Sequence, residues 1–362
     1  MIGDSAAASN DPTPLGRPEH AGLPEQKIIR ATAPGRVNLI GDHTDYMGGL
    51  AMPMAIQMAT VITGTRSNGR IQLTSDGADG VVQIDLPVTD PSSITPSWGR
   101  YVAAVSQVLG STSGITGEVT STIPLGSGLS SSAALEVATA LALGDDGSPI
   151  EVSKRTQQAE VLATAVPCGI MDQLAITSGS AGHAMLMDFT TLAVAQVPVP
   201  ADMCFWVLHS GQQRTLAGSA YAERRAQCET AQAQIGPLRE ATTEALDSIA
   251  DPVVRARARH VRDECRRVLG FADALAAGDS SRAGALMLQS HMSLRNDFEV
   301  STQALDDLVD KLCATPGVHG ARLTGAGFGG CVVALADPGV ELDGWHVSPS
   351  DGARVEVLDQ PS

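Results

Sequence analysis

The sequence is poor in aromatic residues and in positive charge. Only 3% of its 362 residues are aromatic, and 24 Lys and Arg stand against 40 Asp and Glu, which gives a formal net charge of −16. A chain this acidic is repelled by nucleic acid and by anionic membranes, so we expect neither as a partner. No apolar run reaches the roughly 20 residues that span a bilayer. The length and the 43% of hydrophobic residues predict a soluble globular protein with two cores.

Closely spaced cysteine pairs and a targeting segment are also missing. The six cysteines are scattered, with no Cys-x-x-Cys, which predicts reduced thiols and a cytoplasmic protein. Residues 1–25 are rich in Ala, Pro, Ser and Gly and lack a basic start followed by an apolar stretch. We therefore expect a disordered lead-in there rather than a secretory signal.

The order of the elements indicates two mixed domains. Short extended segments alternate with helical ones in the first half of the chain, and segments 70–76 and 80–86 predict a hairpin with Asp-Gly turns. Three long helical patterns follow, at 217–235, 252–276 and 280–291. This order predicts an α+β chain with an N-terminal domain at 26–204 and a C-terminal domain at 205–362.

A loop rich in glycine and serine precedes one of the predicted helices. Residues 124–134 read Pro-Leu-Gly-Ser-Gly-Leu-Ser-Ser-Ser-Ala-Ala, so backbone N–H groups, hydroxyls and the positive end of a helix can converge on a phosphate. No Lys follows the serines, which excludes a Walker A loop. Taken alone, the segment is equally typical of a surface loop that caps a helix. The predicted phosphate-binding residues are Pro124, Leu125, Gly126, Ser127, Gly128, Leu129, Ser130, Ser131, Ser132 and Ala133.

Two further segments are dense in polar residues or glycine. Residues 34–49 read Pro-Gly-Arg-Val-Asn-Leu-Ile-Gly-Asp-His-Thr-Asp-Tyr-Met-Gly-Gly, which predicts a binding loop, with a hydrated surface loop as the alternative. Residues 322–331 read Arg-Leu-Thr-Gly-Ala-Gly-Phe-Gly-Gly-Cys and formally fit the dinucleotide motif G-x-G-x-x-G. That motif requires a following helix, whereas a strand-like Cys-Val-Val-Ala-Leu-Ala follows here, so we reject a Rossmann domain.

These three segments occur in the order of the three motifs of the GHMP kinase superfamily, which the chain resembles. The segment 34–49 resembles the signature of the galactokinase family in particular, and further similar stretches lie at 167–173, 224–229 and 290–301. The resemblance runs from Ala33 to Val333. It implies the two-domain α+β fold of that superfamily, with an N-terminal ribosomal-S5-like domain, a C-terminal ferredoxin-like domain and the active site in the cleft between them.

The resemblance also implies an activity. Galactokinases phosphorylate the C1 hydroxyl of α-D-galactose with ATP and Mg²⁺, so we expect small-molecule substrates and a monomer. Asp42, Met47 and Ala220 depart from the residues usual in that family, which leaves open another sugar 1-kinase acting on N-acetylgalactosamine, a pentose or a uronic acid. A non-catalytic sugar sensor is less consistent with the sequence, because such proteins lose parts of the phosphate loop, whereas Ser130-Ser131-Ser132-Ala133 is intact.

The resemblance assigns roles to single residues. Asp172 matches the catalytic base, and Arg36 beside it would keep the carboxylate ionised and offset charge on the transferred phosphoryl group. A helix-capping Asp is the structural alternative for Asp172. The sugar would be held by Asp42 and His43 at O6, Asp45 at O3 and O4, the Gly169 N–H, and the Tyr221 hydroxyl at O4. Mg²⁺ would be held by Ser132 and Glu160.

Overall fold

The structure, a computed structural model, describes residues 27–124, 126–212 and 217–358. The lead-in predicted for residues 1–25 and Leu125 of the predicted phosphate-binding set lie outside the described residues. In the described part of the chain, no helix is both long enough and apolar enough to cross a membrane.

As the sequence predicted, mixed strands and helices come first and long helices follow, with strands again after the last described helix. The strands are β1 (Ile28–Asn38), β2 (Leu50–Ala51), β3 (Pro53–Asn68), β4 (Arg70–Ser75), β5 (Val82–Asp85), β6 (Ser113–Ser121), β7 (His183–Asp188), β8 (Ala193–Pro198), β9 (Cys204–His209), β10 (Val318–Thr324), β11 (Cys331–Ala336), β12 (Trp345–Val347) and β13 (Arg354–Leu358). The helices are α1 (Gly99–Leu109), α2 (Ser131–Ala142), α3 (Pro149–Thr164), α4 (Met171–Ser178), α5 (Ala217–Ile235), α6 (Thr243–Asp247), α7 (Pro252–Ala276), α8 (Ser280–Asn296) and α9 (Gln303–Cys313).

Local signals explain where several helices begin. Ser148 and Glu151 form a reciprocal capping box at the start of α3. The Asp251 carboxylate accepts hydrogen bonds from the first N–H groups of α7, and Pro252 occupies the first helical position, where its missing N–H costs nothing. The predicted helices at 217–235 and 252–276 match α5 and α7, while α8 continues beyond residue 291 to Asn296.

The N-terminal region is built on a sheet whose described strands run in the order β13-β1-β3-β6-β4-β5. The hairpin predicted between residues 70 and 86 is the antiparallel pair β4–β5, while β4 pairs with β6 in parallel. A smaller sheet, β2-β7-β8, lies beside it. Helix α2, rich in alanine, packs closely against β1 and β3 and contributes to the largest core cluster.

The C-terminal region contains a second sheet with the strand order β10-β11-β9-β12, against which α8 and α9 pack. The last strand, β13, does not join this sheet. Its residues Arg354–Leu358 pair with the start of β1, so the chain returns to the N-terminal sheet. The predicted division at residues 204 and 205 did not include this return and remains a proposal. The two regions meet where the ends of β1 and β10 approach each other, and the site lies there.

Candidate active site

A cavity of about 370 Å³ opens between the end of β1, the start of α4 and the turn after β10. That volume is within the range of small-molecule sites. The predicted residues that line it are Arg36, Asp42, His43, Asp45, Glu160, Gly169, Asp172 and Tyr221. The structure therefore brings every predicted catalytic and sugar-binding residue to one cavity, together with one of the two predicted metal ligands.

Asp172 lies in the first turn of α4 and is held by two residues from other elements. Arg36 donates from Nε to Oδ1 at 2.7 Å and from Nη2 to Oδ2 at 2.5 Å, and the Ser130 hydroxyl donates to Oδ2 at 2.5 Å. The residue in the capping position of α4 is Ile170. Asp172 therefore forms a bidentate ion pair with Arg36, a strong geometry for a carboxylate, and does not cap its own helix.

The Asp45 carboxylate lies directly against the backbone of Gly169. A Cβ on Gly169 would lie 1.5 Å from Asp45 Oδ2, so only glycine fits there. The backbone N–H groups of Tyr46 and Met171 also face this carboxylate. Burial, and then the negative charge of Asp172, raise the pKa of Asp45 to about 6.

Asp42 has partners that the sequence did not predict. Arg322 of β10, fully buried, donates from Nη2 to Asp42 Oδ2 at 2.6 Å, and the Gly325 N–H donates to Oδ1 at 3.1 Å. The preceding Gly41 N–H donates to Glu264 Oε1 of α7 at 3.0 Å. Both oxygens of Asp42 thus tie the loop after β1 to the C-terminal region, and its predicted contact with sugar O6 stays a prediction.

His43 is also bound to the protein through both ring nitrogens. Nε2 lies 3.1 Å from the Ala326 carbonyl oxygen, which can only accept, so Nε2 carries the hydrogen. Nδ1 then accepts from the Tyr46 hydroxyl at 2.9 Å. Burial lowers the pKa of His43 to about 3, so the ring is neutral at physiological pH. A direct bond to a sugar hydroxyl requires one of these bonds to be exchanged.

Tyr221 of α5 completes this side of the cavity. Its ring centroid lies 5.5 Å from that of His43 and 5.5 Å from that of Tyr46, within the range of aromatic contacts. Burial raises the pKa of the Tyr221 hydroxyl well above its ordinary value, so it stays protonated and can donate a hydrogen bond.

The predicted phosphate loop lies next to Arg36 and Asp172. Gly126, Gly128 and Ser130 all have positive φ, between 64° and 73°, which produces a tight turn before α2. Ser130 does not cap α2 with its hydroxyl, which is bonded to Asp172 instead. Because that cap is missing, the first N–H groups of α2 are open to an anion, as at other phosphate-binding helix termini. Arg36 Nη1 also donates to the Gly128 carbonyl at 2.7 Å and fixes the loop to β1.

The two predicted metal ligands contact each other. Ser132 Oγ lies 3.3 Å from Glu160 Oε1. Burial, and then the charge of Asp172, raise the pKa of Glu160, and no Lys, Arg or His of the described chain forms an ion pair with it. An inward carboxylate without a cation, beside a hydroxyl, fits a Mg²⁺ ion, which uses one or two carboxylates and takes its other oxygens from phosphates and water. Among the described residues no group of three or more His, Cys, Asp or Glu side chains could hold a metal by itself.

Sequence reasoning missed several residues at this site. Tyr46 forms a hydrogen bond with His43, Arg322 with Asp42, and Gln173 with Glu160. All three belong to segments that the sequence had singled out for other reasons. Their polarity beside predicted site residues was a usable signal. Tyr46 lies only three residues from His43, but Arg322 could not be assigned to Asp42 from spacing, since 280 residues separate them.

Comparison with known proteins places the chain in a family. The model of the GHMP kinase N-terminal domain matches residues 99–180 and that of the C-terminal domain matches 271–343. The galactokinase galactose-binding signature matches residues 20–66. The fold is similar to that of mevalonate kinase from Methanococcus jannaschii, with a TM-score of 0.60 over 88% of this chain and 92% of that one at 19% identity. The protein is thus a GHMP kinase by fold and motif, as the sequence predicted.

Relatives of higher sequence identity show which family of GHMP kinases the chain belongs to. The chain is 43% identical to human galactokinase and 42% identical to the dog protein, each over 340 residues that cover 89% of this chain and 86% of the relative. A structure of Lactococcus lactis galactokinase complexed with galactose matches with a TM-score of 0.82 and 30% identity over 91% of this chain and 95% of that one. The chain belongs to the galactokinase family.

Proposed function

We propose that the protein transfers the γ-phosphoryl group of ATP to the C1 hydroxyl of α-D-galactose, giving α-D-galactose 1-phosphate and ADP. The observation that carries this proposal is the position of Asp172. Its carboxylate is paired with Arg36, bonded to Ser130 at the start of the phosphate loop helix, and open to the cavity that Asp45 also lines. The proton acceptor Asp172, the positively charged Arg36 and the predicted phosphate-binding loop therefore meet at one point.

The hydrogen bonds of Asp172 indicate which of its oxygens accepts the proton. A carboxylate has about four acceptor positions, and Arg36 and Ser130 occupy three of them, two on Oδ2 and one on Oδ1. The remaining position is on Oδ1. As the C1 oxygen bonds to the γ-phosphorus, the bond to the bridging β–γ oxygen breaks, ADP leaves with that electron pair, and the C1 hydroxyl proton passes to Oδ1.

Arg36 supports both sides of this reaction. Three of the five N–H donors of a guanidinium are used here, two by Asp172 and one by the Gly128 carbonyl. The two that remain can donate to the transferred phosphoryl group. Since phosphoryl transfer passes through a loose transition state, positioning and charge neutralisation of this kind supply most of the catalysis.

The sugar-binding residues are proposed from the cavity that they share with Asp172. Asp45, fixed against Gly169, would accept hydrogen bonds from O3 and O4, and the protonated Tyr221 hydroxyl would donate to O4. Asp42 and His43 would bind the O6 end either through water or by exchanging a bond with Gly325 or Ala326. Supporting this arrangement, all of these residues line the one cavity that contains Asp172.

The nucleotide side is proposed around residues 124–133. The N–H groups at the start of α2 would bind the ATP phosphates, and Ser132 and Glu160 would hold Mg²⁺. Bound there, Mg²⁺ would neutralise charge on the phosphates. We also propose a monomer that works on small molecules. A cytoplasmic location is proposed because none of the six cysteines, all of them among the described residues, is in a disulfide.

A panel of free sugars tests the proposal. We expect ATP-dependent phosphorylation of galactose, with the phosphate on C1 by phosphorus NMR, and kcat/KM for glucose lower by about 10⁴-fold, because a rigid site built for a hydroxyl rejects an analogue that leaves its partners unpaired. Talose and 2-deoxygalactose keep the galactose O4 and differ from galactose only at C2, so their kcat/KM values measure the contribution of that position. Equal use of glucose and galactose, or a faster reaction with N-acetylgalactosamine or a pentose, would refute galactose as the substrate.

A further inference from the structure

Behind the proposed cation site, one buried amide joins two buried carboxyl groups. Gln173 of α4 donates from Nε2 to Glu160 Oε2 of α3 at 2.6 Å, and from the same nitrogen to Glu136 Oε2 of α2 at 3.2 Å. Gln173 and Glu136 are both 0% exposed. Ser132 therefore contacts one carboxylate oxygen of Glu160, Oε1, and Gln173 binds the other, Oε2.

The orientation of this amide follows from the charges around it. If its oxygen and nitrogen were exchanged, the carbonyl of Gln173 would face Glu160 Oε2 at 2.6 Å, and a Glu160 carboxylate that is ionised to bind a cation has no hydrogen to donate. Both hydrogens of Nε2 are thus used to bridge Glu160 and Glu136. Three helices, α2, α3 and α4, are tied together at this one nitrogen.

This arrangement leaves polar atoms unsatisfied. Gln173 Oε1 and Glu136 Oε1 are buried without a hydrogen-bond partner among the described residues. A buried polar atom without a partner is destabilising, so apolar residues at positions 136 and 173 would pack at lower cost. Burial, and then the charge of Glu160, also raise the pKa of Glu136 well above its ordinary value. A role outside packing accounts for retaining such a group.

We propose that Gln173, supported by Glu136, is a positioning residue that holds the Glu160 carboxylate beside Ser132 Oγ in the orientation needed for the divalent cation. The inference rests on the proposed function, which assigns Ser132 and Glu160 to Mg²⁺. Gln173 itself touches neither the substrate nor the cation. It acts on Glu160 alone, as groups behind metal ligands do in other sites.

Metal binding in the absence of turnover tests this proposal. The probe is Mn²⁺ with ADP, and free Mn²⁺ is measured by electron paramagnetic resonance in the parent and in Gln173→Met, which keeps the side-chain volume but cannot donate. We expect Mn²⁺ affinity in the ADP complex to fall about 10–100-fold. Half-saturating Mg²⁺ in the kinase assay should rise in parallel, while the KM for galactose stays unchanged. The matched control is Gln196→Met. It removes the hydrogen bond that the Gln196 side-chain amide donates to the Ser178 carbonyl, at the end of the same helix.

A second variant disturbs the amide from its other side. Glu136→Met removes the second acceptor, so Gln173 can rotate, and we expect a smaller loss of Mn²⁺ affinity in the same direction. Galactose binding by calorimetry reports whether each variant is folded. Parent-like Mn²⁺ affinity in both folded variants would overturn the inference and leave the proposed function intact. A parent protein that does not bind Mn²⁺ with ADP, or does not phosphorylate galactose, would instead refute the proposed function.

Discussion

Gly169→Ala should disable the sugar side of the site without touching the nucleotide side. The added Cβ would lie 1.5 Å from Asp45 Oδ2 and 2.3 Å from its Cγ, and contacts below 3.0 Å are essentially never seen for a Cβ. Either the carboxylate retreats by roughly 1.5 Å or the Gly169 backbone shifts. Retreat would also move Asp45 away from the backbone N–H groups of Tyr46 and Met171, which lower its pKa against the effect of burial.

The size of the effect follows from that displacement. Misplacing a substrate-binding group by about 1 Å can cost about 10²-fold in rate, so we expect kcat/KM for galactose to fall by about 10²-fold or more. ADP binding should be unchanged, because the three atoms nearest to the added Cβ all belong to the Asp45 side chain and none to the phosphate loop. The assay is steady-state kinetics in galactose at saturating Mg²⁺ and ATP, with thermal unfolding to show that the variant is folded.

The control for this experiment is Gly77→Ala, since a Cβ at Gly77 meets no atom within 4 Å. It should behave like the parent protein in both assays. If Gly169→Ala, shown to be folded, keeps the parental kcat/KM for galactose, the placement of Asp45 against Gly169 is wrong, and with it the proposal that Asp45 binds the sugar.

Three further predictions concern the proton, pH and the cation. Asp172→Asn is nearly isosteric but cannot accept the proton, so kcat should fall by about 10²–10⁴-fold with galactose binding retained. The control Asp85→Asn removes the carboxylate of an exposed ion pair with Arg70 and should leave kcat unchanged. Turnover of Asp172→Asn within a few-fold of the parent would eliminate the base role. Because the pKa of Asp45 is raised to about 6, its carboxylate becomes protonated as the pH falls through about 6, so the KM for galactose should rise on the acid side, and a flat KM between pH 5 and 8 would contradict this. The same raised pKa means that the folded state binds this proton more tightly than the unfolded chain, so its contribution to stability is present below pH about 4 and is lost as the pH rises through about 6. Ser132→Ala should raise half-saturating Mg²⁺ and leave the KM for galactose unchanged, and the opposite pattern would show that the two half-sites are misassigned.

Much of this protein could be predicted from local sequence. The C-terminal end of α5 at Gly236, the start of α7 at Asp251, the β4–β5 hairpin and the turn before α2 depend on caps, periodicity and glycines within a few residues, so the chain alone specifies them. The candidate residues in segments 34–49 and 124–134 were found in the same way, whereas Glu160, Gly169, Asp172 and Tyr221 were found only from the resemblance. Their family roles came from resemblance to galactokinases and not from geometry.

Tertiary structure decided which of these residues meet and what each one is free to do. Asp42 was predicted as a sugar ligand, yet folding brings it to Arg322, 280 residues away in the sequence, and uses both of its oxygens. Gly169 is required because Asp45 packs on its backbone, and Glu160 is held from behind by Gln173. The return of β13 to β1 is equally non-local. Such contacts depend on how whole helices and sheets pack, whereas residue type and spacing determine only local conformation, so the sequence defines the parts of the site and the fold alone defines their partners.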